Sequence, residues 1–419
     1  MVSAFCTRWA ECLYVEQQRV RKTYQYRLKP TPAQERALVS VLLRCRTLYN
    51  VALEQRKTWW GRGQGISASY HQQKAELPVL KAACPEYTEV HSQVLQDVLL
   101  RVERTYHGFF RRVTNGEPPG YPRFQGTKRY HSFTSPQYGN GTVLDGGVLS
   151  LSKIGRIPIR LHRPLQGPPK TVTIRREADG WYVSFSCAEV PTQPLPRTGC
   201  ETGIDVGLKV FLVTADGEQV ANPRYHRKAE KQLTKAHKKV ARRKKGSKRW
   251  WKAVHQCARK YQKVKRQRRD FQHKTALDLV RTYAVIYLED LQVGNMSRRP
   301  APKPNGNGGY LKNAASAKSG LNTSIQAAGW YAFRRILVCK AAWAGKRVEA
   351  IPPAFTTQDC SGCGERVAKS LSIRMHVCPT CGLVVDRDEN AALNMLVAGQ
   401  QRAGQARQAL TWPDTASVV

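Results

Sequence analysis

Residues 203–213 read GIDVGLKVFLV, a nearly continuous apolar run that predicts a buried β-strand. One carboxylate, Asp205, lies inside this run between Ile204 and Val206. Burying an unpaired carboxylate is expensive because the charge loses its hydration. The run therefore predicts a buried strand and marks Asp205 as a residue with a chemical role.

Other acidic residues occupy similar positions. Glu289 ends a second apolar strand, AVIYLED, and both Asp386 and Asp388 directly precede a helix predicted from about residue 389 to 398. Carboxylate oxygens suit magnesium or manganese, and a pair of such ions can promote phosphodiester cleavage. Asp205, Glu289 and one of the two later aspartates are thus candidate metal ligands. Alternatively each acid has a local role, such as an ion pair or a helix cap.

Two Cys-x-x-Cys pairs lie near the C-terminus: Cys360-Ser-Gly-Cys363 and Cys378-Pro-Thr-Cys381, each followed by glycine. Two pairs at this spacing can complete one tetrahedral site. The glycines permit a turn that exposes backbone N–H groups to sulfur. Because four protein ligands leave no open coordination position, the predicted ion is structural zinc. His376 is a rival ligand that the four cysteines make unnecessary.

The chain is strongly basic: its 419 residues include 69 Lys+Arg against 30 Asp+Glu, a formal net charge of +39. A compact protein with this surplus repels itself unless a polyanion offsets the charge. Nucleic acid is the expected polyanion, bound through its phosphates. Basic residues are densest in segment 227–274, interleaved with Trp250, Trp251 and Tyr261. This pattern indicates phosphate contact without separating RNA from DNA.

A ribosome and a membrane surface are the other partners that a basic chain can have. A membrane binder needs a basic amphipathic helix or an apolar anchor, and we identify neither in the sequence. Arg8 and Glu11 interrupt the apolar N-terminal residues, so a secretory signal is not expected. We therefore expect a cytoplasmic protein that does not bind membranes.

The order of the periodic segments predicts the organisation of the chain. Residues 22–30 alternate polar and apolar like a strand, helical periodicity follows to about residue 115, and strand-like runs occupy about 130–192. The first strand and the later strands are expected to form one β-domain with the helices inserted between them. Residues 297–323 are rich in Pro, Gly, Asn, Ser and Lys, which predicts a mobile loop.

Several motifs, taken in order, resemble the TnpB (OrfB) family of transposon-encoded proteins, which is related to type V CRISPR effector nucleases. The matching stretches are YRLKPTPAQE, GYPRFQG, GIDVGLKVFLVTADG, IYLEDLQVGNM, GWYAFRRILVCKAAWAG, CSGCG, CPTCG and DRDENAALN. They cover roughly residues 22–398. Each motif is modest alone, but their order and spacing are specific.

The resemblance implies a multidomain α+β architecture. A β-barrel-like wedge domain with an inserted helical domain would precede an RNase H-like (RuvC) α/β nuclease domain that is interrupted by a zinc ribbon. On this sequence the implied divisions are the wedge β-domain at 22–30 and 126–195, the helical recognition domain at 31–125, the nuclease domain at 201–355 and 386–398 and the zinc-binding segment at 356–385. Outside the resemblance, residues 1–21 are predicted to be an N-terminal extension, and the weak apolar pattern of residues 399–419 predicts a disordered tail.

The resemblance also implies roles for single residues. The first nuclease aspartate matches Asp205, the glutamate matches Glu289, and the last aspartate matches Asp388, the second acid of DRDENAA. Asp386 remains the rival of Asp388, and Asp290 is a weaker rival of Glu289. The three acids would be the catalytic residues and hold Mg²⁺ or Mn²⁺, while the four cysteines of the zinc-binding segment would hold structural Zn²⁺.

A member of this family is expected to carry a guide RNA that pairs with one strand of double-stranded DNA, while the protein reads a short adjacent DNA motif. The oligomeric state stays open, with a monomer bound to RNA as the expectation. A non-catalytic zinc-ribbon regulator of transposition would explain the charge and the cysteines, but not the buried acids. An unguided resolvase or RNase H-type enzyme would explain the acids without a guide.

Overall fold

The computed structural model describes residues 19–61, 68–196, 198–370 and 372–411. The predictions for residues 1–18 and 412–419, most of the N-terminal extension and the end of the tail, lie outside the described residues. The chain divides into two compact units, the first ending at Pro191 and the second beginning at Thr192.

The first unit combines helices with short strands. In chain order its elements are β1 (Arg19–Arg27), α1 (Pro32–Gly61), α2 (Tyr70–Ala75), α3 (Leu77–Ala83), a 3₁₀ turn (Pro85–Glu89), α4 (Ser92–Thr114), β2 (Ser132–Ser135), β3 (Thr142–Asp145), β4 (Val148–Leu151), β5 (Gly155–Pro158), β6 (Pro169–Glu177) and β7 (Gly180–Pro191).

The strands of the first unit form two antiparallel sheets, ordered β1-β7-β6-β2 and β3-β4-β5. Because β1 pairs with β7, the first strand lies in the same sheet as the strands that follow the helices. Leu38 of α1, Leu99 of α4 and Val183 of β7 belong to one buried hydrophobic cluster. The inserted helices therefore share a core with the sheets.

The second unit is a mixed α/β unit. Its elements are β8 (Glu201–Val206), β9 (Val210–Thr214), β10 (Gln219–Ala221), α5 (Tyr225–Ala241), α6 (Lys248–Thr282), β11 (Val285–Glu289), α7 (Val293–Met296), β12 (Lys303–Pro304), β13 (Tyr310–Leu311), α8 (Ala315–Ala328), α9 (Trp330–Trp343), β14 (Arg347–Ile351), β15 (Met375–Val377), β16 (Val384–Asp386) and α10 (Arg387–Thr411).

A five-stranded sheet ordered β10-β9-β8-β11-β14 forms the centre of the second unit. Strands β8, β11 and β14 run parallel, whereas β9 and β10 are antiparallel to their neighbours. The carboxyl ends of parallel strands meet at one edge of a sheet. Asp205 and Glu289 both lie near this edge, at the ends of β8 and β11.

Helix α10 packs directly against this sheet because two glycines leave room for it. A Cβ atom at Gly203 of β8 would lie 1.9 Å from the carbonyl oxygen of Ala392 in α10. A Cβ atom at Gly399 of α10 would lie 2.1 Å from the ring of Tyr287 in β11. The close contact places the first turn of α10, which contains Asp388, beside the sheet.

Two segments are more helical than the sequence predicts. Helix α10 begins at Arg387 and continues to Thr411. It therefore extends into residues 399–411, where a disordered tail was predicted. Helix α8 lies partly inside the loop predicted at 297–323. Each segment makes a contact with a distant residue: Gly399 packs on a tyrosine ring, and Asn322 of α8 donates a hydrogen bond to the carbonyl oxygen of Ser297 (2.9 Å). Across the described ranges, the longest apolar helical stretches are too short or too polar to cross a bilayer.

Candidate functional site

The four cysteines of the zinc-binding segment converge on one point. Their Sγ atoms all lie within 4.8 Å of one another, with Cys360–Cys381 at 3.6 Å and Cys363–Cys378 at 3.5 Å. Zinc–sulfur bonds of about 2.3 Å in a tetrahedron put the sulfurs about 3.8 Å apart. The predicted set of four therefore assembles at a spacing that suits zinc.

The surrounding backbone explains why glycine follows each pair. Gly364 and Gly382 have φ angles of +80° and +73°, and their N–H groups donate to the carbonyl oxygens of Cys360 and Cys378 at 2.9 and 3.0 Å. Hydrogen bonds from the backbone, first from Cys381, lower the pKa of the Cys378 thiol to about 6. Such amide contacts favour the thiolate form that binds metal.

The Cys363 thiol shows that the cysteines disfavour negative charge on one another. A backbone hydrogen bond from Glu365 favours the Cys363 thiolate, but desolvation and the neighbouring sulfurs outweigh it and raise the pKa of Cys363 to about 12. Four adjacent thiolates repel one another unless a cation lies among them. The donor set is therefore chemically suited to a soft divalent ion such as Zn²⁺.

The second group of interest, the carboxylate cluster, consists of Asp205, Glu289 and Asp388. Burial raises the pKa of Asp205 well above its ordinary value, and the negative charges of Glu289 and Asp388 raise it further. Burial also raises the pKa of Glu289, with a contribution from Asp388, despite a hydrogen bond from Thr356 that lowers it. Three acids far apart in sequence thus interact electrostatically at one sheet edge.

The spacing within the carboxylate cluster is wider than in the cysteine cluster. Among the described residues, the cysteines are the group whose ligand atoms all come within 4.8 Å of one another, and the three acids do not reach that spacing. Mutual repulsion of buried carboxylates favours such separation. Hard oxygen donors with raised pKa values fit Mg²⁺ or Mn²⁺, whose charge would offset the repulsion.

Two arginines contact the Asp388 carboxylate directly. Arg387 approaches Oδ1 of Asp388 with Nη2 at 3.2 Å, and Nη1 of Arg374 lies 3.5 Å from Oδ2. Arg374 comes from the zinc-binding segment, so this segment contacts the carboxylate cluster. Neither arginine could be singled out from the sequence, because the chain contains many other lysines and arginines.

The rival residues have other contacts. Asp386 accepts the backbone N–H of Asp388 on Oδ1 (2.8 Å), which is a capping contact at the start of α10. Asp290 is 46% exposed and forms an ion pair with Arg334 at 2.5 Å. His376 is fully buried and its Nδ1 contacts the amine of Lys369. Asp205 interacts electrostatically with Glu289, Asp388 and Arg387, and the choice of Asp205, Glu289 and Asp388 as the three site acids stays a prediction.

Three further residues of the site were not predicted from the sequence. Thr356 donates a hydrogen bond from Oγ1 to Oε1 of Glu289 (2.8 Å). The Asn390 and Asn394 side chains of α10 bind the backbone of the zinc-binding segment. Two asparagines four residues apart share one face of a helix. Their spacing beside apolar alanines was the available signal for Asn390 and Asn394.

The basic segment predicted at 227–274 lies on α5 and α6, which pack against each other. Leu233 and Ala236 of α5, with Ala253 and Cys257 of α6, are buried. Most lysines and arginines of the two helices are exposed, and so is Trp251. The helix pair therefore presents a basic surface with an aromatic side chain at one end, as a nucleic-acid-binding surface does.

A solved structure of Cas12f1 has a similar fold. The structure titled "Cryo-EM structure of the Cas12f1-sgRNA-target DNA complex" matches with a TM-score of 0.52 over 90% of this chain and 98% of that chain, at 11% sequence identity. At this identity the match defines the class of fold alone, a mixed α/β architecture.

Sequence comparison identifies the family. A protein of Streptomyces pristinaespiralis named "Putative RNA-guided DNA endonuclease" is 33% identical over 91% of this chain and 90% of its own length. "Putative RNA-guided DNA endonuclease InsQ" of Escherichia coli (strain K12) is 30% identical over 90% of this chain and 92% of its own length. The chain belongs to the TnpB (OrfB) family, as its motifs predict.

Family models match three parts of the chain. Residues 184–299 match OrfB_IS605, described as "Probable transposase", and residues 330–395 match the "Cas12f1-like, TNB domain". Residues 20–65 match a model described as "Helix-turn-helix domain". In this structure the described part of that last range consists of strand β1 followed by the single long helix α1.

Proposed function

We propose that this protein is an RNA-guided DNA endonuclease that hydrolyses DNA phosphodiester bonds with the help of divalent metal ions. Its guide is a transposon-derived RNA, and its target is complementary DNA beside a short recognised motif. The names of the two relatives described above support the activity. The basic helix pair α5–α6 supports nucleic-acid binding, because exposed lysine and arginine neutralise phosphates.

The carboxylate cluster is the observation that carries this proposal. Asp205 is 7% exposed and Asp388 is 8% exposed, yet both are acids at a sheet edge where Glu289 adds a third negative charge. A fold keeps such a destabilising arrangement where it serves a function. Mg²⁺ or Mn²⁺, when bound, would activate water and stabilise the leaving oxygen of the DNA backbone.

The residues around the cluster have separate tasks. Asp205, Glu289 and Asp388 supply hard oxygen ligands on rigid elements, two on strands and one on a helix. Thr356 orients the Glu289 carboxylate through its hydroxyl. Arg374 and Arg387 hold Asp388, and their guanidinium groups are chemically suited to bind a phosphate oxygen of the substrate.

The proposal also assigns parts of the chain. The sheet order β10-β9-β8-β11-β14, with β8, β11 and β14 parallel, supports an RNase H-like nuclease domain of the RuvC type over residues 201–355 and 386–398. The zinc-binding segment, residues 356–385, forms a zinc ribbon with the β15–β16 hairpin beside the second cysteine pair. The wedge β-domain and the helical recognition domain correspond to the first unit. We propose that the protein acts in the cytoplasm as a monomer with RNA.

Co-expression with the DNA that flanks the transposon tests this function. RNA that copurifies is sequenced, and the complex is challenged with a randomised DNA library in Mg²⁺ and in EDTA. We expect one discrete RNA and Mg²⁺-dependent cuts next to a common motif. The Asp205→Asn variant should bind the RNA but not cut. RNA binding without any cutting would point to a regulator of transposition, and cutting without a discrete RNA to an unguided nuclease.

A further inference from the structure

We propose that Thr356, Asn390 and Asn394 form a clamp that couples the zinc-binding segment to the carboxylate cluster, so that zinc loading sets the affinity for the divalent ion. This inference rests on the proposed function. Thr356 and the two asparagines are positioning residues in this scheme, because they act through Glu289 and through the start of α10.

The first half of the clamp joins α10 to the backbone just before and within the first cysteine pair. The Nδ2 atom of Asn390 donates to the carbonyl oxygen of Asp359 (2.8 Å), and its Oδ1 accepts the N–H of Ser361 (3.0 Å). Asn394, one turn later, donates to the carbonyl oxygens of Thr356 (2.8 Å) and Asp359 (2.7 Å). Cys360 lies inside this gripped stretch.

Burial makes these contacts expensive to lose. Asn390 is fully buried, and a buried amide without partners costs free energy because it has left water. Asn390 is also two residues from Asp388, on the same first turns of α10. A movement of the zinc-binding segment would therefore shift or strain the turn that contains Asp388.

The second half of the clamp reaches the other end of the carboxylate cluster. Thr356 is 8% exposed, its carbonyl oxygen accepts from Asn394, and its hydroxyl donates to Glu289. One residue thus connects α10 with the acid at the end of β11. Arg374, also in the zinc-binding segment, contacts Asp388. The segment that holds zinc therefore contacts two of the three acids directly.

The coupling follows from how metal sites depend on their surroundings. Residues that orient a ligand typically change metal affinity about 10-fold to 100-fold when they are removed. Zinc fixes the backbone between the two cysteine pairs, because four bonds to one ion restrict it. With zinc present, the backbone from Thr356 to Ser361 is fixed, and Thr356 holds Glu289 in one orientation. Without zinc, that orientation is lost.

Manganese binding to the purified protein–RNA complex tests the clamp without requiring DNA cleavage. Free Mn²⁺ is followed by electron paramagnetic resonance, and zinc content is measured by mass spectrometry. We expect Thr356→Val to weaken Mn²⁺ binding about 10-fold or more with one zinc retained, and Thr356→Ser to restore binding. Thr357→Val, the same change one residue along, should bind Mn²⁺ as the wild type does.

A second set of measurements removes the zinc, or removes the Asn394 hydrogen bonds to the zinc-binding segment. Chelation of zinc, and separately Asn394→Ala, should each weaken Mn²⁺ binding, and Thr356→Val should add little to the loss caused by chelation. Wild-type affinity for Mn²⁺ in Thr356→Val or in the zinc-free complex would overturn the clamp. Asp205→Asn distinguishes a failure of the clamp from a failure of the proposed metal site. If Asp205→Asn leaves Mn²⁺ binding unchanged, the proposed metal site itself is refuted. If Asp205→Asn abolishes Mn²⁺ binding while Thr356→Val leaves it unaffected, only the clamp is refuted.

Discussion

Replacing Asp205 by asparagine should stabilise the metal-free protein and abolish its stabilisation by metal. Asp205 is 7% exposed, and both burial and the charges of Glu289 and Asp388 raise its pKa. The folded protein therefore bears the cost of confining this acid among other acids. Asparagine keeps the size and the polarity of the side chain and removes the charge.

The magnitude follows from the kind of strain involved. Relieving a functional site of this type commonly adds about 0.5–2 kcal/mol to the free energy of unfolding. In a unit of this size 1 kcal/mol shifts Tm by about 2–4 °C, so in EDTA the Tm should rise by about 1–8 °C. Saturating Mn²⁺ at 100 times its Kd adds about 2.7 kcal/mol to the wild type, and the variant should gain little.

Differential scanning fluorimetry of the protein–RNA complex in EDTA and in Mn²⁺ measures both effects. The Tm values of the two proteins should cross: the variant is more stable in EDTA and the wild type is more stable in Mn²⁺. Asp290→Asn is the control, because Asp290 is half exposed and paired with Arg334, and it should keep the full response to Mn²⁺. A variant that melts below the wild type in EDTA, or that keeps the Mn²⁺ shift, would refute the reasoning.

The difference in stability between the wild type and Asp205→Asn should depend on pH in a direction that the pKa shift defines. Because the folded-state pKa of Asp205 lies above its ordinary value, the folded protein binds more protons than the unfolded chain between those two pKa values. The free energy of unfolding of the wild type therefore falls as pH rises through this window. The advantage of Asp205→Asn in EDTA should shrink as the pH falls toward the ordinary range for aspartate.

Four further results are expected. Gly203→Ala should destabilise the fold by about 1–3 kcal/mol in urea unfolding, because its Cβ would meet the Ala392 oxygen at 1.9 Å. Gly108→Ala should raise stability by about 1 kcal/mol in the same assay, because a Cβ atom added to this helical glycine would meet nothing within 4 Å; an unchanged midpoint would count against this. Cys363→Ser should lower the zinc content measured by mass spectrometry and the Tm, whereas Cys339→Ser, a cysteine far from the pairs in sequence, should leave both unchanged. Affinity for guide RNA should fall steeply with salt in filter binding, and replacing Lys238 by Gln should reduce the log–log slope by about 1.

Much of the site could be predicted from sequence because its parts are local signals. A carboxylate inside the apolar run around Asp205 and another at the end of the strand containing Glu289 are visible in the printed sequence. Parallel pairing of β8 with β11 then brings the two strand ends together. The cysteine pairs are also visible in a short window of sequence, because the two cysteines of each pair are three positions apart.

The rest of the site depends on contacts between distant residues. Thr356 follows Glu289 by 67 positions, and nothing in its own neighbourhood indicates that it donates to a buried carboxylate. The start of the tail at residues 399–411 likewise has a contact with a distant residue, since Gly399 of α10 lies against the ring of Tyr287. Local composition predicted disorder there because tertiary packing does not appear in a window of sequence.

The electrostatic surroundings of Asp205 favour the proposed metal site over a structural ion pair. A chain with 69 Lys+Arg residues has many cations available to neutralise a buried acid. Arg387 and the backbone of Val206 do act to lower the pKa of Asp205, yet burial and the two neighbouring acids prevail. An acid whose role was to hold the fold together would be better stabilised with a closer cation. The two arginines contact Asp388 instead, and the charge of a divalent ion at the proposed site would offset the burial and repulsion that raise the pKa of Asp205.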